Sequence, residues 1–479
     1  MNNPSTRDLF GDRLRKGEDM AKDMRSWIKQ LDEAGELVRM KEEVDPRVNM
    51  SAYLWESKEK ALLFENVKNH TGWKVLGQAP ANMRHVGLAF ETSRKQAITE
   101  FARRVDQGLT PPRIVKDGPV KEVLRKDKDV RLTSLPAHIQ GHKDAGPFIS
   151  SGLSIVKDPE TGIRNMSFHR LQVKGDNKTG IMMVPGRHTH LIYQKYEAMN
   201  KPMPIAIVIG HHPMYYMAAC YTGPFDLDEL GLAGTLLGEP VDLVKCETID
   251  LEAPAYAEII LEGEVPPKVR EEEGPFSEFQ GYYFGGSGKN PIVQVKAISL
   301  RKDAIYKANQ NGPDVEGCHY HRVPMSAALF RDLRHVGGHV DLKDVYAHWG
   351  TIFGVVIQMT PRFYGEAKSV LMAALSSTYL HQKFAVAVDE DVDIYDPTDV
   401  AWAITTRVDP IKDITIIPGL RGHALDESVS EKLREPRVTI RQELTSKVLI
   451  DATKPPTTDP ERRDIYERLK PIGLDTIRK

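Results

Sequence analysis

Along residues 23–34 apolar side chains recur at helical spacing, with Met24, Trp27, Ile28 and Leu31 on one stripe. A strand over 36–40 follows Gly35, and a second helix is predicted over 93–105, where Ile98, Phe101, Ala102 and Val105 line up. Strand-like runs at 61–64 and 73–76 lie between them. This stretch reads as a small α/β region closing near Thr110-Pro-Pro-Arg113, with the polar residues 1–20 frayed at its start. From about 115 to 305 the period shortens. Apolar runs at 152–156, 168–173, 180–184 and 292–298 alternate with Gly, Pro and Asp turns, the pattern of a barrel-like sheet. The run Ile205-Ala-Ile-Val-Ile209 fits a buried strand, and helical insertions are predicted at 190–199 and 229–237.

Beyond residue 306 helix and strand alternate again. Helices are predicted over 365–380 and 397–406, the latter with Pro397 in its first turn. Strands are predicted over 383–388 and 414–417, the first running into Asp389-Glu-Asp-Val-Asp393. Residues 452–479, rich in charge and holding four prolines, suggest an exposed arm or a docking segment. The partition is therefore 1–114, 115–305 and 306–479, with no internal repeat.

A chain of 479 residues is too long for one core, so two or three domains are expected. The formal net charge of -2 gives no nucleic-acid footprint. No apolar run approaches the ~18 residues of a membrane span, and the charged N-terminus has no signal-peptide core. Cys220, Cys246 and Cys318 form no CxxC pair, which argues against a disulfide framework and points to the cytoplasm.

Two carboxylates, Glu273 and Glu278, flank the turn Gly274-Pro-Phe-Ser277, which breaks any helix. In a dry pocket one could be held neutral as a proton donor while the other, ionised, orients an arginine. The same stretch also reads as a solvated acidic turn. Asn165, His188 and Glu229 offer amide, imidazole and carboxylate, a set suited to Mn²⁺ or Mg²⁺, but their spacing is no metal signature. In a regular strand Arg170 would face away from Asn165, so both reach one site only around a bend or around opposite sides of a ligand. The pairs His211-His212 and His319-Tyr-His321 do not match a zinc helix, and Phe284-Gly-Gly-Ser-Gly288 reads as a loop.

These segments together resemble the UbiD family of decarboxylases, which use prenylated FMN. The resemblance runs over roughly residues 20–430. It rests on Asn165-Met-Ser-Phe-His-Arg170, Pro185-Gly-Arg-His188, Gly234-Thr-Leu-Leu-Gly-Glu-Pro-Val-Asp-Leu-Val-Lys-Cys246, Glu273-Gly-Pro-Phe-Ser-Glu278 and Val388-Asp-Glu-Asp-Val-Asp393. It implies an α/β (α+β) fold. A central split β-barrel resembling flavin reductases would lie between an N-terminal α/β region and a C-terminal α/β oligomerisation domain. It implies that Asn165, His188 and Glu229 hold Mn²⁺ or Mg²⁺, that Ser167, Arg187 and Lys383 contact the flavin or its phosphate, and that Arg170, Glu273 and Glu278 form the catalytic network. It also implies a K⁺ site, here with Cys220 where a serine is usual. The segment Glu316-Gly-Cys-His-Tyr-His-Arg-Val323 aligns with a pocket-lining stretch of the family, and His319, His321 and Arg322 would make that pocket polar. The resemblance implies a reversible carboxy-lyase acting on an aromatic or heteroaromatic acid, with CO₂ as product. A separate flavin prenyltransferase would supply the cofactor, and a homodimer or homohexamer is expected. A non-catalytic flavin-binding subunit and a metal hydrolase built on His188 and Glu229 are the competing readings. The intact Arg170, Glu273 and Glu278 argue against the first, and the lack of an activating base against the second.

Overall fold

In the computed structural model, the described residues are 22–283, 288–379, 381–423, 425, 426, 428 and 444–473. The frayed start expected for 1–20 and most of the Gly-rich loop, 284–287, lie outside them. The helix Met24–Glu33 begins at Asp23, whose carboxylate accepts from Ser26 N at 2.8 Å while Asp23 N donates to Ser26 Oγ at 2.9 Å. This reciprocal cap fixes the start, and Met24, Trp27, Ile28 and Leu31 are buried as their spacing requires. The helix flanks a four-stranded sheet made of Leu37–Met40, Ala61–Phe64, Lys74–Gly77 and, returning from far along the chain, Ile305–Lys307.

The central sheet is eight-stranded and its ladders are antiparallel. Its middle runs Gly288–Leu300, Ile259–Val265, Met203–Ile209, Phe148–Lys157, Arg164–Gln172. Strand Met203–Ile209 is buried on both faces. Ile205, Ile207 and Ile209 join one apolar cluster, whereas Ala206 and Val208 join the other. A single bridge, Val173 to Thr179, ties the end of Arg164–Gln172 to Lys178–Gly180, which pairs with Gly288–Leu300. The expected split barrel is thus a curled sheet with no continuous ladder across its seam. Three further strands, Glu252–Pro254, Asp242–Lys245 and Arg113–Ile114, form a small separate sheet.

The C-terminal sheet has five strands, in the order Leu342–Tyr346, Gly354–Met359, Phe384–Val388, Leu444–Ala452, Ile414–Arg421. The residues after it fold back onto the acidic run that follows Phe384–Val388. Arg463 pairs with Asp389, and Arg468 reaches Asp399 at 2.6 Å. No helix among the described residues is long and apolar enough to cross a membrane.

Several boundaries differ from the pattern reading. The helix expected over 365–380 is Glu366–Leu375, because Ser376 folds its hydroxyl back onto Met372 O at 2.9 Å and competes with the next turn. The strand expected over 180–184 is Lys178–Gly180, and the chain then leaves the sheet for a turn at Gly186, whose φ is 80°. The helix expected at 190–199 begins earlier, as His188–Ala198. The helix expected over 93–105 begins later, as Ala97–Asp106, since the Gln96 side chain takes the Thr92 and Ser93 hydroxyls in a preceding turn.

One buried imidazole makes stability depend on pH. His85 is fully buried; its Nδ1 accepts from Ala81 N at 3.0 Å, so the ring is neutral and Nε2 faces Glu36 at 3.2 Å. Burial pushes its pKa down to about 4. A histidine depressed in the fold contributes stability that is complete above about pH 6.5 and is lost as pH falls toward 4, by up to about 1.4 kcal/mol per pH unit. Urea unfolding at pH 7, 6 and 5 is expected to show this loss, with a shallower slope in His85→Gln. An unchanged slope would remove His85 from the effect.

Candidate active site

Strand Arg164–Gln172 carries Asn165, Ser167 and Arg170. Its neighbour Phe148–Lys157 slips register: Ile149 pairs with Leu171 and Gly152 with His169, so Ser150 and Ser151 together oppose Arg170. Such a bulge bends and twists a strand and re-aims the side chains beside it. Asn165, Ser167 and Arg170 all line one cavity of about 380 Å³, of a size that suits a small-molecule site. Of the two routes open to the sequence, a bend or opposite sides of a ligand, the register slip in the partner strand is in keeping with the first.

Glu273 ends strand Arg270–Glu273 and is 1% exposed. Gly180 makes room for it, since a Cβ there would stand 2.8 Å from Glu273 Cγ. Arg170 donates to Glu273 through Nε at 3.1 Å and Nη2 at 2.9 Å, a two-pronged contact that fixes the guanidinium plane. Asn290 Nδ2 holds the same carboxylate at 2.8 Å. The remaining prong, Nη1, donates to Glu278. Asp144 pins the turn between the two glutamates by accepting from Ser277 N at 2.7 Å and Ser277 Oγ at 2.8 Å. Burial would pull the Arg170 guanidinium down, but Glu278 and Glu273 outweigh it and hold it above its ordinary value. Burial pushes the Glu278 carboxyl above the usual carboxylate range, Arg170 opposes this, and the charge of Glu273 adds to it.

A second cluster lies on the same wall. Glu229 opens helix Glu229–Leu237 and is 3% exposed. It accepts from Met166 N at 2.8 Å and Asn165 Nδ2 at 2.9 Å, and Asn165 Oδ1 takes the Thr189 hydroxyl at 2.9 Å. Burial raises the Glu229 pKa to about 8, and the charge of Asp228 adds to it against the hydrogen bonds from Met166 N and Asn165. A buried carboxyl in that condition is stabilised by a bound cation. His188, at the start of helix His188–Ala198, packs edge-on against Phe225, and burial keeps its imidazole neutral, the form that ligates metals. Among the described residues no three His, Cys, Asp or Glu side chains converge, so a cation here would need the Asn165 amide and outside oxygens as well. With that amide, the donor set fits Mn²⁺ or Mg²⁺. Among the described residues Arg187 makes a long 3.5 Å contact to Thr222 and lines the cavity, so it could meet an anion there.

The structure thus brings Asn165, Ser167, Arg170, Arg187, His188, Glu229, Glu278 and His321 to one wall, with Glu273 directly behind Arg170. Three expected residues are off it. Lys383 is paired with Asp426 at 3.0 Å. His319 and Arg322 are corrections to the expected substrate pocket. Helix Glu316–Leu333 turns them into the protein, where His319 Nε2 meets Ala81 O at 2.8 Å and Arg322 meets Tyr346 Oη at 2.7 Å and Asp314 at 3.0 Å. Phe279, Met325, Tyr379, His381, His423 and Leu425 also line the cavity, and most come from C-terminal segments with no local signature.

Three family models match in chain order. The N-terminal domain of 3-octaprenyl-4-hydroxybenzoate carboxy-lyase matches residues 28–105, its Rift-related domain 113–313, and its C-terminal domain 318–452. A phenolic acid decarboxylase of Sedimentibacter hydroxybenzoicus is 32% identical over 475 residues, 95% of this chain and 96% of that relative. The UbiD-class enzyme HmfF from Pelotomaculum thermopropionicum, solved in complex with FMN, has a TM-score of 0.85 at 33% identity, covering 95% of this chain and 98% of that one. An evolved dimeric form of HmfF in complex with prFMN has a TM-score of 0.83 at 31% identity over the same shares, 95% and 98%. With its three domains matched in order and its relatives aligned almost end to end, the chain belongs to the UbiD family of carboxy-lyases.

Proposed function

We propose that this enzyme releases CO₂ from an aromatic or heteroaromatic acid without oxidation, or adds it in the reverse direction, with prenylated FMN and a divalent cation bound in the cavity. The observation that carries the reading is the division of labour at Arg170. Two prongs of the guanidinium are committed to the immobilised Glu273, and the third donates to Glu278 on the cavity wall. A substrate carboxylate taking that prong would release Glu278. Burial pushes the freed carboxyl above the usual carboxylate range, which favours the protonated form that could deliver a proton to the carbon that loses CO₂. Glu278 is itself buried, which limits the water that can solvate its carboxylate.

Prenylated FMN, when bound, supplies the electron sink that no side chain provides for a vinyl or aryl carbanion. Ser167, Arg187 and the neutral His188 are the residues that would hold it, with Asn165, His188 and Glu229 around the cation. Cys220 lies on the wall with its thiol pushed up by burial, so a K⁺ site here would depend on main-chain oxygens. The prFMN complex of a relative supports the cofactor, and a flavin prenyltransferase would be its source. A dimeric form of the same relative favours a homo-oligomer here too.

The test is co-production with that prenyltransferase, followed by native mass and a CO₂-release screen of aromatic acids. A prenylated-FMN mass with CO₂ release carries the reading; bound flavin without CO₂ release from any acid would favour a non-catalytic subunit. Glu229→Gln removes the one carboxylate of the cation cluster. Native mass spectrometry is expected to show at least a ~10-fold loss of Mn²⁺ occupancy, as for lost metal ligands and their supports, and unchanged occupancy would remove Glu229 from the cluster.

A further inference from the structure

The hairpin that carries Glu278 is held at two ends, and its anchors belong to different parts of the chain. Ser277 pairs with Tyr283 across it, Glu278 N donates to Tyr282 O at 3.0 Å, and Gly281 N donates to Glu278 O at 3.0 Å. Gly281 closes the tip at φ 87°, a left-handed conformation that suits glycine. In so tight a turn a shift of the tip carries Glu278 with it. The base is pinned to Asp144 through Ser277. The tip, Phe279 and Gln280, faces C-terminal segments instead.

The Phe279 ring stands 5.9 Å from Phe353 and 6.1 Å from each of His381 and His423 between centroids. Gln280 is 6% exposed and is not part of the cavity wall among the described residues. Its Nε2 donates to Leu425 O at 3.0 Å, across 145 positions of the chain. Its Oε1 is buried without a partner among the described residues, so the bond to Leu425 is what holds the amide. An apolar side chain of the same length would fill this space without burying an amide, so packing alone does not account for a glutamine here. Leu425 is a fixed acceptor: its N–H donates to His423 Nδ1 at 3.1 Å, and the next residue, Asp426, pairs with Lys383 at 3.0 Å.

We propose that Gln280 is a positioning residue for the proton donor: through Leu425 O it ties the placement of Glu278 to the C-terminal segment that holds Leu425. With the Asp144 anchor alone, the hairpin would be free to pivot about Ser277 and carry Glu278 toward or away from Arg170 Nη1. The second anchor removes that freedom. His381, His423 and Leu425 also line the cavity, so the wall that meets the acid and the group that protonates it share one attachment. Gln280 acts through Glu278 and touches no reacting atom. This role rests on the decarboxylase reading above, because it takes the proton donor from it.

The test is read on the holoenzyme in two ways. Gln280→Met keeps the length of the side chain and removes its donor. Hydrogen exchange at the amides of Glu278 and Gly281 is expected to rise at least ~10-fold, with exchange in helix Met24–Glu33 unchanged. Single-turnover CO₂ release should fall by about 10–10²-fold, the cost of a misplaced catalytic group, while prenylated-FMN mass and affinity for the acid found by the CO₂-release screen stay at the wild-type level. In a Glu278→Gln background the same substitution should change the rate by less than about 2-fold, because the group being positioned is gone. Asp426→Asn loosens Leu425 from the other side and should raise the same exchange, which keeps the tie testable if the hairpin variant does not fold. Wild-type exchange and rate in Gln280→Met, or an equal loss of rate with and without Glu278, would overturn the proposal and leave the decarboxylase standing. A loosened hairpin in an enzyme that releases no CO₂ from any acid would sink the decarboxylase and leave the tie between Gln280 and Leu425 intact.

Discussion

Glu278→Gln is expected to lower CO₂ release by about 10²–10⁴-fold, the usual contribution of a positioned general acid, while cofactor stays bound. Glutamine keeps the volume and can still accept from Arg170 Nη1, so the guanidinium and its contacts with Glu273 should persist. What disappears is a proton that can be given up. Burial of the wild-type carboxyl and the charge of Glu273 push its pKa above the usual carboxylate range against the pull of Arg170. The sign for activity follows: turnover should be high below the Glu278 pKa and fall as pH rises through it. The measurement is single-turnover CO₂ release against pH, with flavin absorbance and native mass as the control for occupancy. Full turnover in the variant with cofactor bound would take the proton-donor role away from Glu278.

Glu316→Ala should be the most damaging single change to the fold. Lys307 and Glu316 pair at 1% and 0% side-chain exposure, joining a strand of the N-terminal sheet to the first turn of the long C-terminal helix. The same carboxylate accepts from Gln78 N at 2.9 Å, Ala79 N at 3.0 Å and Tyr320 Oη at 2.8 Å. Removing it leaves two backbone N–H groups buried without this partner and a buried ammonium whose charge is unpaired, held only by the Ala308 carbonyl at 2.7 Å. Breaking a buried pair in this way costs about 3–5 kcal/mol. Urea unfolding should register that loss, and Lys307→Met with Glu316→Gln together should recover part of it, since the unpaired charge is then gone. A loss under about 1 kcal/mol in Glu316→Ala would mean that water reaches Lys307, as in exposed pairs.

Some of this molecule was legible without coordinates. The stripe Met24, Trp27, Ile28, Leu31 and the uniform run Ile205–Ile209 encode burial through contrast, or its absence, between adjacent positions. The segments 165–170 and 273–278 could be matched because each is a short run of specific residue types at fixed spacing, although the contacts that hold them, Arg170 to Glu273 and Ser277 to Asp144, cross more than a hundred residues. Helices Pro213–Ala219 and Glu316–Leu333 escaped pattern reading. The first is buried at all seven positions and the second contains Pro324, so neither shows the one-sided periodicity of a surface helix.

The rest was decided by packing between distant parts of the chain. Sequence order put Arg322 in the pocket beside His321, yet neighbours on a helix point about 100° apart, and Tyr346 and Asp314 draw Arg322 inward. Lys383 was expected at the cofactor phosphate, but Asp426 takes its charge first. His381 and His423 reach the cavity from elements more than a hundred residues beyond Glu278, and no local pattern encodes that meeting. By itself the sequence determined the family, the order of its regions and the chemistry available at Arg170, Glu273 and Glu278, because those depend on residue type and short spacing. Only the tertiary structure decided which polar side chains face the cavity, because orientation across long contacts is set by competition among partners for the same buried charges and donors.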